Sequence, residues 1–188
     1  MDLILFQPGD TSWYPKISND SANGGSLISN GANWITKEKL KLGPCIELVS
    51  IDQGMIEHVT TDISHSAHTS GWPVISDLTC VKYVDKTSVI FYDWCLRAKL
   101  LGDKANPSYI YILRNSGDQC TSIMTLMLRD AIISEIQLLS HPDDMPTEQF
   151  KLNFTEILWS YSAQKEQVNC PVIAGWSLAQ NKPLTEFT

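Results

Sequence analysis

The sequence predicts a mainly β domain of about eight or nine short strands with one helix, in a closed or sandwiched arrangement. Short runs rich in β-branched and aromatic residues recur along the chain, clusters of Gly, Asn, Asp and Pro divide them, and a single segment carries helical spacing. Closure is expected because it removes the exposed strand edges that invite aggregation.

Residues 2–6 read as a first strand. From residue 8 to residue 43 the composition shifts to Gly, Ser, Asn and Asp with isolated aromatics such as Trp13, Tyr14 and Trp34. That stretch is expected to be a loop insert, dispensable for the core and tipped with residue types that favour protein contacts. The runs 45–51 and 56–61 flank Asp52-Gln53-Gly54 and predict a hairpin. Residues 63–76 are polar and predict a long surface loop, followed by a strand over 78–84.

Between Ser88 and Leu101, Phe91, Trp94, Cys95, Ala98 and Leu101 fall three and four apart, which predicts a helix that Thr87 or Ser88 can cap. The runs 109–113 and 121–127 enclose Asn115-Ser116-Gly117-Asp118, a second hairpin. Further strands are expected over 131–140, 150–162 and 172–178. Strands such as Ile110-Tyr111-Ile112-Leu113 are apolar on both faces, and the outer face is expected to need a neighbouring subunit.

At 188 residues the chain suits one domain spanning 1–188. Its formal charge of -7, with 14 basic residues scattered along it, argues against a nucleic-acid partner. No basic leader precedes an apolar run, and no run approaches the ~18 apolar residues of a membrane span. Synthesis and folding in the cytoplasm are therefore expected, without membrane insertion. Cys45, Cys80, Cys95, Cys120 and Cys170 form no C-x-x-C pair and read as buried free thiols.

His58, Asp62, His65 and His68 lie within eleven residues and could be recruited as metal ligands, but their spacing matches no established motif. Solvated histidines are the preferred reading. Gly175-Trp176-Ser177-Leu178-Ala179 resembles a relaxed nucleophile elbow, yet no histidine follows Ser177 to complete a triad. No phosphate loop or dinucleotide fingerprint is present. The residues alone thus predict neither a cofactor nor a catalytic site.

Three ordered segments carry a resemblance: Thr60-Thr61-Asp62-Ile63-Ser64, Thr69-Ser70-Gly71-Trp72-Pro73, and Val81-Lys82-Tyr83-Val84-Asp85-Lys86-Thr87-Ser88. With Lys151–Tyr161 and Ala174–Leu178, they resemble the Hcp (haemolysin-coregulated protein) family of type VI secretion. The resemblance implies a closed β-barrel with one flanking helix, six copies closing into a ring, and rings stacking into a tube. It implies a contractile sheath and tip proteins as partners, small secreted effectors carried in the lumen, and export from the bacterial cytoplasm through the type VI apparatus without a cleaved signal peptide.

The resemblance also makes the loop from Thr60 to Pro73 an assembly element, with Asp62, Thr69, Ser70, Gly71 and Pro73 as its residues. Ser50 and Asp52 are implied to face the lumen. A metal-dependent or cysteine hydrolase on a β scaffold stands as the alternative from another class.

Overall fold

The structure is a computed structural model, and it describes residues 2–13, 27–28, 43–57, 59–62, 67–70, 72–103, 105–116, 119–161 and 172–186. The strands are β1 (Asp2–Gln7), β2 (Leu27–Ile28), β3 (Cys45–Leu48), β4 (Ser50–Asp52), β5 (Met55–Ile56), β6 (Val59–Asp62), β7 (Ala67–Ser70), β8 (Val74–Ile75) and β9 (Leu78–Tyr83). After helix α1 (Ser88–Leu96) come β10 (Ser108–Ser116), β11 (Gln119–Arg129), β12 (Ile132–Leu139), β13 (Thr147–Asn153), β14 (Glu156–Tyr161), β15 (Val172–Ser177) and β16 (Lys182–Leu184).

Two sheets make the body. One has eight strands in the order β16-β15-β14-β11-β10-β1-β3-β2, the other four in the order β12-β13-β9-β4. Among the described strands, neither sheet closes on itself through its own ladders. The sixteen described strands outnumber the eight or nine expected: bends divide two of the expected runs, the segment 55–75 carries four short strands in place of one, and β2 and β16 are additional. Val49 separates β3 from β4, and Phe154 with Thr155 separates β13 from β14.

The bend between the sheets is held by named bonds. Thr155 donates its N–H to the Arg129 carbonyl at 3.0 Å and its hydroxyl to Asp130 Oδ2 at 2.8 Å. Asp130 itself turns at φ 50, a left-handed conformation that Asp tolerates better than most residues. β11 and β14 pair on one side of this bend, and β12 and β13 pair on the other.

The alternation of β9 shows how the core is built. Leu78, Cys80 and Lys82 point inward while Thr79 and Val81 are half-buried on the opposite face, as a period of two requires. Phe6, Phe91 and Phe150 meet in the core, with Phe91 and Phe150 edge to face at 4.9 Å. Helix α1 contributes Phe91 and Trp94, three residues apart on one face.

Helix α1 is shorter than expected. It stops at Leu96 because Ala98 adopts φ 46, and Lys99 and Ala98 then donate to the carbonyls of Trp94 and Cys95. These are the two hydrogen bonds of a Schellman cap. The predicted start is also corrected: Thr87 stands at the N-cap but makes no side-chain capping bond. Its N–H and hydroxyl donate to Asp85 Oδ1 at 2.8 and 2.6 Å, so Asp85 organises the entry.

Two further expectations give way. The hairpin predicted between 45–51 and 56–61 does not form, since β4 pairs with β9 and β5 pairs with β8. The outward residues of β10 need no neighbouring subunit for burial: Tyr111 and Leu113 join Leu5 and Cys45 in a second buried cluster within one chain. Trp13, expected at an exposed loop tip, is 2% exposed and belongs to the main core.

Candidate functional site

The segment expected to be a long loop carries two short antiparallel ladders. At its base Gly54 and Ser76 are joined by three hydrogen bonds: the Ser76 N–H and hydroxyl donate to the Gly54 carbonyl at 3.0 and 2.7 Å, and the Gly54 N–H donates to the Ser76 hydroxyl oxygen at 3.0 Å. Met55 then pairs with Ile75 and Ile56 with Val74. Farther out, Val59 pairs with Ser70, Thr60 with Thr69, Thr61 with His68 and Asp62 with Ala67.

The first two motif segments are therefore the two strands of one arm, and neither of the arm's two-stranded ladders joins a main sheet. Asp62 lies on β6, Thr69 and Ser70 lie on β7, and Pro73 is half-buried just before β8. Gly71 falls outside the described residues, as do His58 and His65. Around the base, Met55, Ile56, Trp72 and Val74 are all more than half exposed, Trp72 at 75%. Four exposed apolar side chains on one narrow ribbon have little to bury against within the subunit.

Ser50 and Asp52 occupy β4, the edge strand of the four-stranded sheet, and both are exposed while Ile51 between them turns toward the core. Their ladders define a row across the sheet: Asp52 opposite Thr79, Thr79 opposite Lys151, and Lys151 opposite Glu135. This row borders an open cleft of about 500 Å³ whose lining includes Asp52, Ser76, Asp77, Thr79, Glu135 and Lys151.

Within the cleft Lys151 Nζ pairs with Glu135 Oε2 at 2.6 Å. Asp77 accepts from the Ser134 hydroxyl at 2.5 Å and from Asn153 Nδ2 at 2.8 Å. Three carboxylates thus face one ammonium, giving the cleft an acidic field that favours cationic or amide-bearing groups. Sequence reading named Asp52 alone of these acids. Glu135 and Lys151 are gathered by strand register, and Asp77, in the link before β9, by its bonds to Ser134 and Asn153.

The third motif segment forms a buried polar node. Lys82 Nζ lies 2.7 Å from Glu148 Oε1 and 2.8 Å from Asp85 Oδ1, and it donates to the Ser88 hydroxyl at 3.1 Å and the Tyr83 carbonyl at 3.0 Å. Lys82 and Glu148 are both 0% exposed. Tyr92 nearby has its phenol pushed up, first by loss of solvent and then by the Glu148 charge. The signal was present in the sequence, because Lys82 continues the inward positions Leu78 and Cys80 of an alternating strand.

The candidates for catalysis are placed as follows. Ser177 is fully buried and its hydroxyl accepts from the Gln180 N–H at 3.2 Å, which makes it a turn cap. Cys45 and Cys80 are buried free thiols; burial pushes the Cys45 thiol up to about 12 and the Cys80 thiol up as well. Both are therefore poor nucleophiles at neutral pH. Cys95 is half-buried. Of the histidine group, Asp62 and His68 stand on opposite strands of the arm.

Comparison with known proteins follows the same lines. A sequence model of the family described as "Type VI secretion system effector, Hcp" matches residues 41–161, which include the arm, the cleft strands and the buried node. No curated protein matches the sequence. Among solved structures, one described as a type six secretion system protein superposes with a TM-score of 0.72 at 16% identity, covering 98% of this chain and 100% of that one. Hcp1 from Salmonella typhimurium follows at 0.65 and 14% identity, covering 97% and 99%. Hcp3 from Pseudomonas aeruginosa gives 0.58 and 13%, covering 94% and 98%.

Proposed function

The chain belongs to the Hcp family of type VI secretion proteins, and from that premise we propose that it is a structural tube subunit and not an enzyme. Six copies close into a ring, rings stack into a tube, and the tube serves with a contractile sheath and tip proteins to carry small effectors out of the cell. The subunit leaves the bacterial cytoplasm by that route. The hydrolase alternative has no observation in its favour.

The subunit is a single domain over 1–188 whose body is a barrel closed through bent strands. The circuit of ladders supports this: β1 pairs with β10, β10 with β11, β13 with β9, and β9 with β4. β4 is continuous through Val49 with β3, which pairs back to β1. The segment 8–43 is an insert on that body, rooted in the core by Trp13.

The observation that carries the assembly reading is the arm, an apolar ribbon outside both sheets that bears Asp62, Thr69, Ser70 and Pro73, with Gly71 in its sequence. A ribbon of that kind gains stability by burying its apolar side chains on another copy, about 25 cal/mol for each Å² removed from water. Ser50 and Asp52, with the acidic cleft beside them, face the lumen and meet the cargo.

Light scattering on the full chain tests this. A mass six times that of one chain is expected, and shortening 63–70 to a Gly-containing turn should leave thermal unfolding of the subunit nearly unchanged while rings or stacks are lost. A monomer at every concentration, or stacked hexamers without the arm's outer part, would defeat the reading.

A further inference from the structure

The polar node under helix α1 brings together the three groups that an amide condensation without an outside catalyst needs: an amine, a carboxyl group and a second carboxylate to carry the proton. Lys82 and Glu148 face each other directly across the β9–β13 ladder, both fully buried, with Nζ 2.7 Å from Glu148 Oε1. Asp85 Oδ1 stands 2.8 Å from the same nitrogen, and its side chain is 4% exposed. The Phe91 ring closes another side, its centroid 5.5 Å from Nζ. Apart from the ion-pair contact with Lys82, both Glu148 oxygens are buried with no hydrogen-bond donor among the described residues, whereas Asp85 Oδ1 accepts from the N–H and hydroxyl of Thr87.

Two carboxylates share one ammonium in surroundings that solvate charge poorly, where an ion pair recovers its desolvation cost only with good geometry and full hydrogen bonding. Glu148 is the carboxylate that lacks donors, and Asp85 the one that Thr87 holds through Oδ1. We propose that Lys82 and Glu148 condense within the folded protein into an amide that cross-links β9 to β13, with Asp85 as the proton carrier.

The step balances without an oxidant or another reactant. Nζ passes one proton to Glu148, which leaves a neutral amine beside a neutral carboxylic acid. The amine lone pair attacks Cδ, Asp85 takes the second proton from nitrogen and returns it to the departing hydroxyl, and water leaves. One C–N bond forms and one C–O bond breaks. The amide keeps one N–H, which donates to Asp85, and the net charge of the node is the same before and after. Opposed residues in an antiparallel pair have Cβ atoms about 4.5–5.5 Å apart, a gap that the joined side chains span. Dry surroundings then protect the amide from hydrolysis.

Intact mass spectrometry on the denatured full chain decides the matter. The expected mass is one water molecule below that of the sequence, and a protease digest should contain a branched peptide joining the segments around 82 and 148. Glu148→Ala and Lys82→Ala should each restore the full sequence mass. Asp85→Asn should also restore it while circular dichroism reports a folded β protein. Wild-type chain at the full sequence mass would reduce the node to an ion pair and overturn the proposal, a reading that does not depend on whether any variant folds. A mass deficit that persisted in Lys82→Ala would overturn it too, and one that persisted in Asp85→Asn would remove Asp85 from the step.

Discussion

Trp13 meets Trp94 edge to face, with ring centroids 6.3 Å apart and planes at 84°. Lys99 lies over the Trp94 ring, its Nζ 5.3 Å from the centroid, and pairs with Asp10 Oδ2 at 2.6 Å. The Asp10 N–H donates to the Leu101 carbonyl at 2.6 Å. Residues 10–13 are thereby clasped to the end of helix α1 and the turn after it, although their composition reads as loop.

Removing that indole should be costly. Trp13→Ala is expected to lower unfolding free energy by about 3–5 kcal/mol, the range for emptying a buried aromatic site. Urea unfolding followed by fluorescence measures it, and a loss under about 1 kcal/mol would mean that Trp13 is not core.

The helix end offers a change in the opposite direction. Ala98 holds a left-handed conformation at φ 46 in which its Cβ is strained, and glycine has no such penalty. Ala98→Gly is expected to raise stability by up to about 1 kcal/mol despite the greater freedom of glycine in the unfolded chain. A lower melting temperature would count against the cap geometry.

At the buried node, Lys82→Met leaves Glu148 buried without the nitrogen that pairs with it, a change worth about 3–5 kcal/mol of destabilisation. Pairing it with Glu148→Leu should recover most of the loss, because the double variant leaves no unpartnered carboxylate at position 148. Chemical denaturation of the two variants side by side tests this, and equal losses would refute it.

Thiol labelling reads out burial. In native protein at mildly alkaline pH, peptide mapping after alkylation should find Cys45 and Cys80 unmodified and Cys95 labelled first among these three. The cause is twofold: no access, and burial that pushes the Cys45 thiol up to about 12. Early labelling of Cys80 would show that β9 opens readily.

Asp10 supplies a pH dependence with a defined sign. Burial alone would raise its carboxyl, but the hydrogen bond to Lys99, the Ser12 bonds and the Lys99 charge together hold it below its ordinary value. A depressed acid contributes stability above the ordinary aspartate range of about 3.9, and that contribution fades as pH falls through the lower folded value. Thermal unfolding between neutral and acid pH should therefore converge for wild type and Asp10→Asn at the acid end. Curves that separate further as pH falls would contradict the sign.

Much of the fold was legible because local rules and tertiary outcome agreed. The turn residues between β10 and β11 and the three-and-four spacing of Phe91 and Trp94 each placed an element correctly. Where the reading failed, a distant partner had intervened. β4 leaves the expected hairpin because Ile51 finds Cys80 across a ladder, a pairing that no local pattern encodes. The cleft was legible only at Asp52, since Glu135 and Lys151 reach it through the registers of β12 and β13 and Asp77 through the link before β9.

By itself the sequence determined the β character, the helix that carries Phe91 and Trp94 and, through three ordered motifs, the family. Period, turn chemistry and motif order are properties of neighbouring residues, so they survive without a structure. Tertiary structure alone decided that the polar loop is a paired arm, that Trp13 is core and that Lys82 sits dry between two carboxylates. Each of these depends on which segments meet across the sheets, and burial energy, which fixes such meetings, is a property of the whole chain.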